Sequence, residues 1–106
     1  MRKSAVILAV SLFGLPSLAL TGDIEKGKQV FTQEAQPSCA LCHALADAGS
    51  TGAIGPDLDE MRPSREQVIN AVTSGVGIMP AFGESLSPQQ IKAVADYVAT
   101  VTGGGK

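Results

Sequence analysis

Cys39 and Cys42 are the two cysteines of the chain and His43 its one histidine, and they stand together in the run Cys39-Ala40-Leu41-Cys42-His43. Two thiols three residues apart, followed directly by an imidazole, make the C-x-x-C-H pattern for covalent attachment of a c-type haem. On one helical turn the thiols face the two vinyl groups at one porphyrin edge, and the histidine points its ring at the iron. Three other chemistries compete for these residues. A thioredoxin-type redox pair needs a βαβ context, which the sequence lacks. A structural zinc site needs four nitrogen or sulfur ligands, and Cys39, Cys42 and His43 supply one too few. A Cys39–Cys42 disulfide suits an oxidising compartment but leaves His43 without a role. The expectation is one covalent haem.

A single histidine excludes bis-histidine ligation within one chain. Methionine is the natural partner, and Met/His ligation raises the reduction potential as electron carriers require. Apart from Met1, the candidates are Met61 and Met79. Met79 lies in Gly77-Ile78-Met79-Pro80-Ala81-Phe82, a segment joining two expected helices, with Pro80 stiffening the backbone behind the thioether. Met61, beside Arg62 and Pro63, comes sooner after His43 and is the weaker candidate. An iron left open or held by another group is the remaining option. His43 and Met79 are the expected metal ligands.

The elements that must position these residues read as helices. Asp23 is the expected N-cap of a first helix running to about Glu34, with Gly27 and Phe31 one turn apart on its face. Pro37 interrupts just before Cys39. Residues 44–58 have neither helical nor strand period and read as loop. Ser64-Arg65-Glu66-Gln67 is a capping-box pattern that opens a second helix; Gly75 stops it, and Val68, Ile69 and Val72 form its buried face. Ser87-Pro88-Gln89-Gln90 opens the last helix in the same way, with Ile91, Val94, Val98 and Val101 as its apolar stripe. Gly103 to Gly105 leave a loose tail, residues 103–106. No run resembles a paired strand. The expected fold is all-α with long loops.

Arg2 and Lys3, the uncharged apolar run Ser4–Leu20 and the small residues of Ser17-Leu18-Ala19 read as a signal peptide, residues 1–19, cut after Ala19. Gly14 and Pro16 argue against the alternative, an uncleaved anchor. Residues 20–106 then form one domain, exported to the periplasm, without stable membrane insertion. It keeps six basic and ten acidic side chains, a net charge of −4. No basic patch exists to neutralise phosphates, so nucleic acid is not an expected partner. The core is thin, with no Trp, one Tyr and three Phe in the whole chain. A domain this small needs a staple or a bound group at its centre.

These residues resemble a class I cytochrome c of the short bacterial kind, similar also to the small photosynthetic c-type cytochromes. The resemblance rests on Gly27 and Phe31, the Cys39–His43 motif, Gly55-Pro56-Asp57-Leu58, Met79-Pro80-Ala81-Phe82 and Val94-Ala95-Asp96-Tyr97-Val98. It implies the small cytochrome c fold around one haem. It implies that the Pro56 carbonyl accepts a hydrogen bond from His43, and that Tyr97 crosses the first helix at Gly27 and Phe31. The stretch from Phe31 to Cys39 is longer than the family pattern, so Gln33 to Pro37 is expected to bulge or lengthen the helix. Apolar packing by Ile54, Leu58, Ile78 and Phe82 is expected to keep water from the porphyrin. The function implied is a non-enzymatic one-electron carrier between redox proteins, from a dehydrogenase, respiratory or photosynthetic donor to an oxidase or reaction-centre acceptor, as a monomer or in transient complexes. The alternative is a dedicated cytochrome subunit or acceptor of a periplasmic dehydrogenase such as sulfite dehydrogenase. A haem peroxidase is less favoured, since no second histidine or evident distal acid–base residue is present. Acid–acetone extraction followed by mass measurement is expected to leave one haem on the polypeptide; the mass of the bare chain would refute this.

Overall fold

The computed structural model describes residues 16–105, with side chains from residue 23 onward. Helix α1 spans Pro16–Gln29 and continues as a π-helical turn over Val30–Glu34. A short α2, Cys39–Cys42, carries the thiols. Strands β1 (Ala44–Leu45) and β2 (Ser50–Thr51) flank a 3-10 turn at Ala46–Ala48. Then come α3 (Leu58–Met61), α4 (Arg65–Ser74) and α5 (Pro88–Thr102). Most of the expected leader, and Lys106 of the tail, lie outside the described residues.

Two local expectations are corrected. Asp23 does not cap the first helix, which already begins at Pro16. A cap is worth only about 1 kcal/mol, and no proline follows Pro16 before Gln29 to stop the helix growing through Asp23. The segment expected as pure loop contains a paired strand: Ala44 faces Thr51 and Leu45 faces Ser50, antiparallel. Two rungs are too few to leave a visible alternation. Between them Gly49 takes a left-handed conformation at φ 67°.

The lengthening expected before Cys39 is real. The Val30–Glu34 turn is π-helical, and the Ala35 N–H donates to the Val30 carbonyl at 3.0 Å. The Ser38 hydroxyl then donates to the Phe31 carbonyl at 3.0 Å and accepts from the Ala40 N–H at 3.1 Å. One side chain thus joins the end of the first helix to the start of the thiol-bearing turn.

Both expected capping boxes form, Ser64 with Gln67 and Ser87 with Gln90. Gly75 and Gly103 end α4 and α5. The fold turns on the α1–α5 crossing. A Cβ at Gly27 would overlap the Ala93 carbonyl and the Tyr97 Cβ, so only glycine lets the backbones approach this closely. Phe31 packs edge-on against Tyr97, with ring centroids 5.9 Å apart. Val30, Phe31, Val94, Tyr97 and Val98 are buried at the crossing. An Arg65–Asp96 ion pair fastens α4 to α5.

Tyr97 is fully buried, yet its hydroxyl escapes the core by donating to Asp47 Oδ2 at 2.7 Å. Asp47 sits on the 3-10 turn between the strands and also lies 3.8 Å from Lys28 Nζ. Burial, and then the Asp47 carboxylate, push the Tyr97 phenol well above its ordinary value of 10.0. A raised phenol contributes stability that is fully present below about pH 10 and lost as pH climbs toward the folded value. Tyr97→Phe is therefore expected to cost about 1–3 kcal/mol at neutral pH. It should also blunt the alkaline loss of stability. Denaturant unfolding of both proteins near pH 7 and near pH 11 checks this; parallel losses in the two proteins would contradict it.

Candidate functional site

The Cys39–Cys42 turn is held from both ends. Ser38 caps its start, and the His43 N–H donates to the Cys39 carbonyl at 2.9 Å. Cys39 and Cys42 are not bridged to each other, and both line a cleft of about 310 Å³. That lies at the lower end of cofactor pockets, roughly 300–1,000 Å³. Before attachment of a haem, burial, aided by Cys42, pushes the Cys39 thiol up to about 11.

His43 lines the same cavity. Its Nδ1 lies 2.7 Å from the Pro56 carbonyl oxygen. A carbonyl only accepts, so Nδ1 carries the proton and Nε2 keeps its lone pair. Nε2 makes no hydrogen bond among the described residues. Gly55 packs against the ring: a Cβ there would come 2.7 Å from Cε1 and 3.0 Å from Nδ1 of His43. The Gly55 N–H, in turn, donates to the Cys42 carbonyl at 2.7 Å.

Met79 reaches the cavity from the loop after α4. Val76 and Met79 exchange backbone hydrogen bonds at 3.1 and 2.8 Å, closing a tight turn in which Gly77 is left-handed at φ 57°. The Phe82 N–H donates to the Val72 carbonyl at 2.7 Å, tying the far end of the segment to α4. Met79 is half-buried and packs against the core. Met61, the weaker candidate, lines the cavity too; it is 50% exposed and projects from the end of α3.

The four expected packing residues all line the cavity, but in two groups. Leu58 and Phe82 are buried, whereas Ile54 and Ile78 stand at the mouth, 63% and 85% exposed. Val68 and Val72 of α4 and Val94 and Val98 of α5 also face the cavity. Their helical spacing marks them as buried, but nothing in it separates a cavity wall from ordinary core. Sequence reasoning did not place Gly55 against the imidazole. The signal available was the glycine directly before Pro56.

Among the described residues no aspartate, glutamate, lysine or arginine lines the cavity. An apolar cleft with two thiols, an oriented imidazole bearing a free lone pair, and a thioether fits the donor set and lining of a haem. Fold and site together define a small c-type cytochrome.

Comparison with known proteins agrees. Residues 22–98 match the model of the family described as cytochrome C oxidase, cbb3-type, subunit III. The crystal structure of the c-type cytochrome SorU from Sinorhizobium meliloti is similar, with 48% identity and a TM-score of 0.75, covering 81% of this chain and 98% of that one. Cytochrome c6 of Gloeothece citriformis is 39% identical over 102 residues, 90% of this chain and 88% of the relative. A cytochrome c-553-like protein of Synechocystis sp. is 35% identical over 109 residues, 92% and 95% of the two chains. The chain belongs to this cytochrome c family, as a small class I cytochrome c. It is a haem-based electron carrier and not an enzyme, and its cofactor is a covalent c-type haem. No helix among the described residues is long and apolar enough to cross a membrane.

Gly55→Ala is expected to push a methyl group into the His43 ring and destabilise the haem protein by about 1–3 kcal/mol, the usual cost of overpacking. Denaturant titration of the two holoproteins measures it; an unchanged midpoint would show that the ring is free to move.

Proposed function

We propose that the protein is a periplasmic one-electron carrier whose single haem is attached through Cys39 and Cys42 and ligated by His43 and Met79. Its donor is a dehydrogenase or a respiratory or photosynthetic complex, and its acceptor an oxidase or a reaction centre. The observation that carries the reading is the His43–Pro56 hydrogen bond beside an apolar cleft that Met79 also lines.

The haem supplies the iron that alternates between ferric and ferrous states. The chain's own residues do the rest. Pro56 fixes the tautomer and orientation of His43, leaving Nε2 for the metal and strengthening its donation. The Val76–Met79 turn presents a thioether, a soft ligand that raises the reduction potential. With His43 and Met79 both holding it, the haem iron would have no position left for oxygen or peroxide. The walls made by Leu58, Val72, Phe82 and Val94 exclude water. Ile54 and Ile78, exposed at the cavity mouth, would cover the edge of the bound haem. Residues 1–19 serve for export. Copurification with a periplasmic dehydrogenase would distinguish a dedicated subunit from a free shuttle.

Met79→Ala is expected to abolish the weak red charge-transfer band of an iron–thioether bond and to lower the reduction potential, because a harder ligand favours the ferric state. Met61→Ala should leave both intact and cost under about 1 kcal/mol, since Met61 is half exposed. Loss of the band in the Met61 variant, with its retention in the Met79 variant, would reverse the ligand assignment.

A further inference from the structure

Three hydrogen bonds tie the chain around His43 to the chain around Pro56. The Gly55 N–H donates to the Cys42 carbonyl, His43 Nδ1 to the Pro56 carbonyl, and the Ala46 N–H to Asp59 Oδ2, each at 2.7 Å. Each pair is separated by the same 13 residues, so the stretches 42–46 and 55–59 run side by side in one register. The first rung is held by backbone alone. The last depends on one carboxylate.

Asp59 is well placed for this. Its own N–H donates to Asp57 Oδ1 at 2.9 Å, which anchors the α3 turn from which its side chain projects. It forms no ion pair among the described residues. Its carboxylate is therefore occupied by the Ala46 N–H, in a charge-assisted bond stronger than a neutral one.

We propose that Asp59 is a positioning residue: by holding the Ala46 N–H it keeps the two stretches in register and so sets the hydrogen bond between His43 and Pro56. The inference rests on the reading of His43 as the iron ligand. An imidazole that donates firmly to a carbonyl is a more basic ligand and favours the ferric iron. Loosening the register weakens that bond and raises the reduction potential.

The test compares four variants of the haem-loaded protein with the natural chain. Asp59→Ala removes the acceptor. Asp59→Asn keeps an acceptor oxygen without the charge. Glu60→Gln removes the neighbouring exposed charge and leaves all three rungs. Ala46→Pro deletes the donor from the other end, and Leu45 is already extended (φ −158°, ψ 112°), as a residue before proline must be. Hydrogen exchange at His43 Nδ1, followed by NMR of the reduced protein, is the deciding readout. Asp59→Ala and Ala46→Pro are expected to speed it about tenfold, the scale of one lost hydrogen bond. Asp59→Asn and Glu60→Gln should leave it within about threefold. The potential should rise more in Asp59→Ala than in Glu60→Gln. Unchanged exchange in Asp59→Ala, or equal acceleration in Asp59→Asn, would overturn the inference while His43 keeps the upfield ring-proton shifts of an iron ligand. Absence of those shifts in the natural protein would overturn the ligation reading together with it.

Discussion

The close approach of α1 and α5 at Gly27 is the constraint from which the rest of the architecture follows. A side chain there would push the helices apart, because the space is filled by the Ala93 carbonyl and the Tyr97 Cβ. With the helices in contact, Tyr97 is buried deep enough that its hydroxyl must find a partner, and the partner is Asp47. A buried hydroxyl without one would cost about 1–3 kcal/mol. Asp47 belongs to the turn between β1 and β2, so the crossing reaches into the segment that follows His43. From there the Ala46–Asp59 and His43–Pro56 bonds carry the alignment to the imidazole. The helix pair and the His43 segment are thus joined through hydrogen bonds of the β1–β2 turn rather than by direct contact.

The same crossing explains why the core is divided. On one side Val30, Leu45, Tyr97 and Ala99 are buried away from the cleft. On the other, Phe31, Leu58, Val72, Phe82, Val94 and Val98 form the wall of the cavity. A porphyrin in that space buries apolar surface that the polypeptide is too short to supply. Burial of apolar area is worth roughly 25 cal/mol per Å², so the haem is a structural component as well as the redox centre. Covalent attachment through two thiols keeps that component in place.

Around Met79 the backbone, more than any side-chain packing, positions the thioether. Gly75 ends α4 at φ 77°, and the reciprocal Val76–Met79 bonds fold the next four residues into a turn against the cavity. A Cβ at Gly75 would approach the Met79 carbonyl and the Ala81 nitrogen to 2.8 and 2.9 Å, so the turn closes tightly on the helix end. Met61 reaches the same cleft from a four-residue helix and is half exposed, whereas Met79 is half-buried and packed against the core. Two sulfurs near one cavity are distinguished by how far each side chain is buried.

What the sequence determined by itself is what depends on neighbours a few residues apart. The Cys39–His43 motif, both capping boxes, the glycine stops at 75 and 103 and the apolar stripe of α5 are local, and each was legible because its physics closes within a turn or two of chain. The tertiary structure decided what depends on distant residues meeting. The Tyr97–Asp47 bond spans 50 residues and the Arg65–Asp96 pair 31. Neither has a periodic signature, since their partners are chosen by where the helices cross. The β1–β2 pairing was hidden because two rungs are stabilised by the loop around them rather than by strand-forming residues. The start of α1 was misplaced because a weak cap preference yields to helix propagation. Tertiary packing also sorted the expected apolar residues into buried wall and exposed mouth, because hydropathy reports which side chains leave water but not which surface receives them.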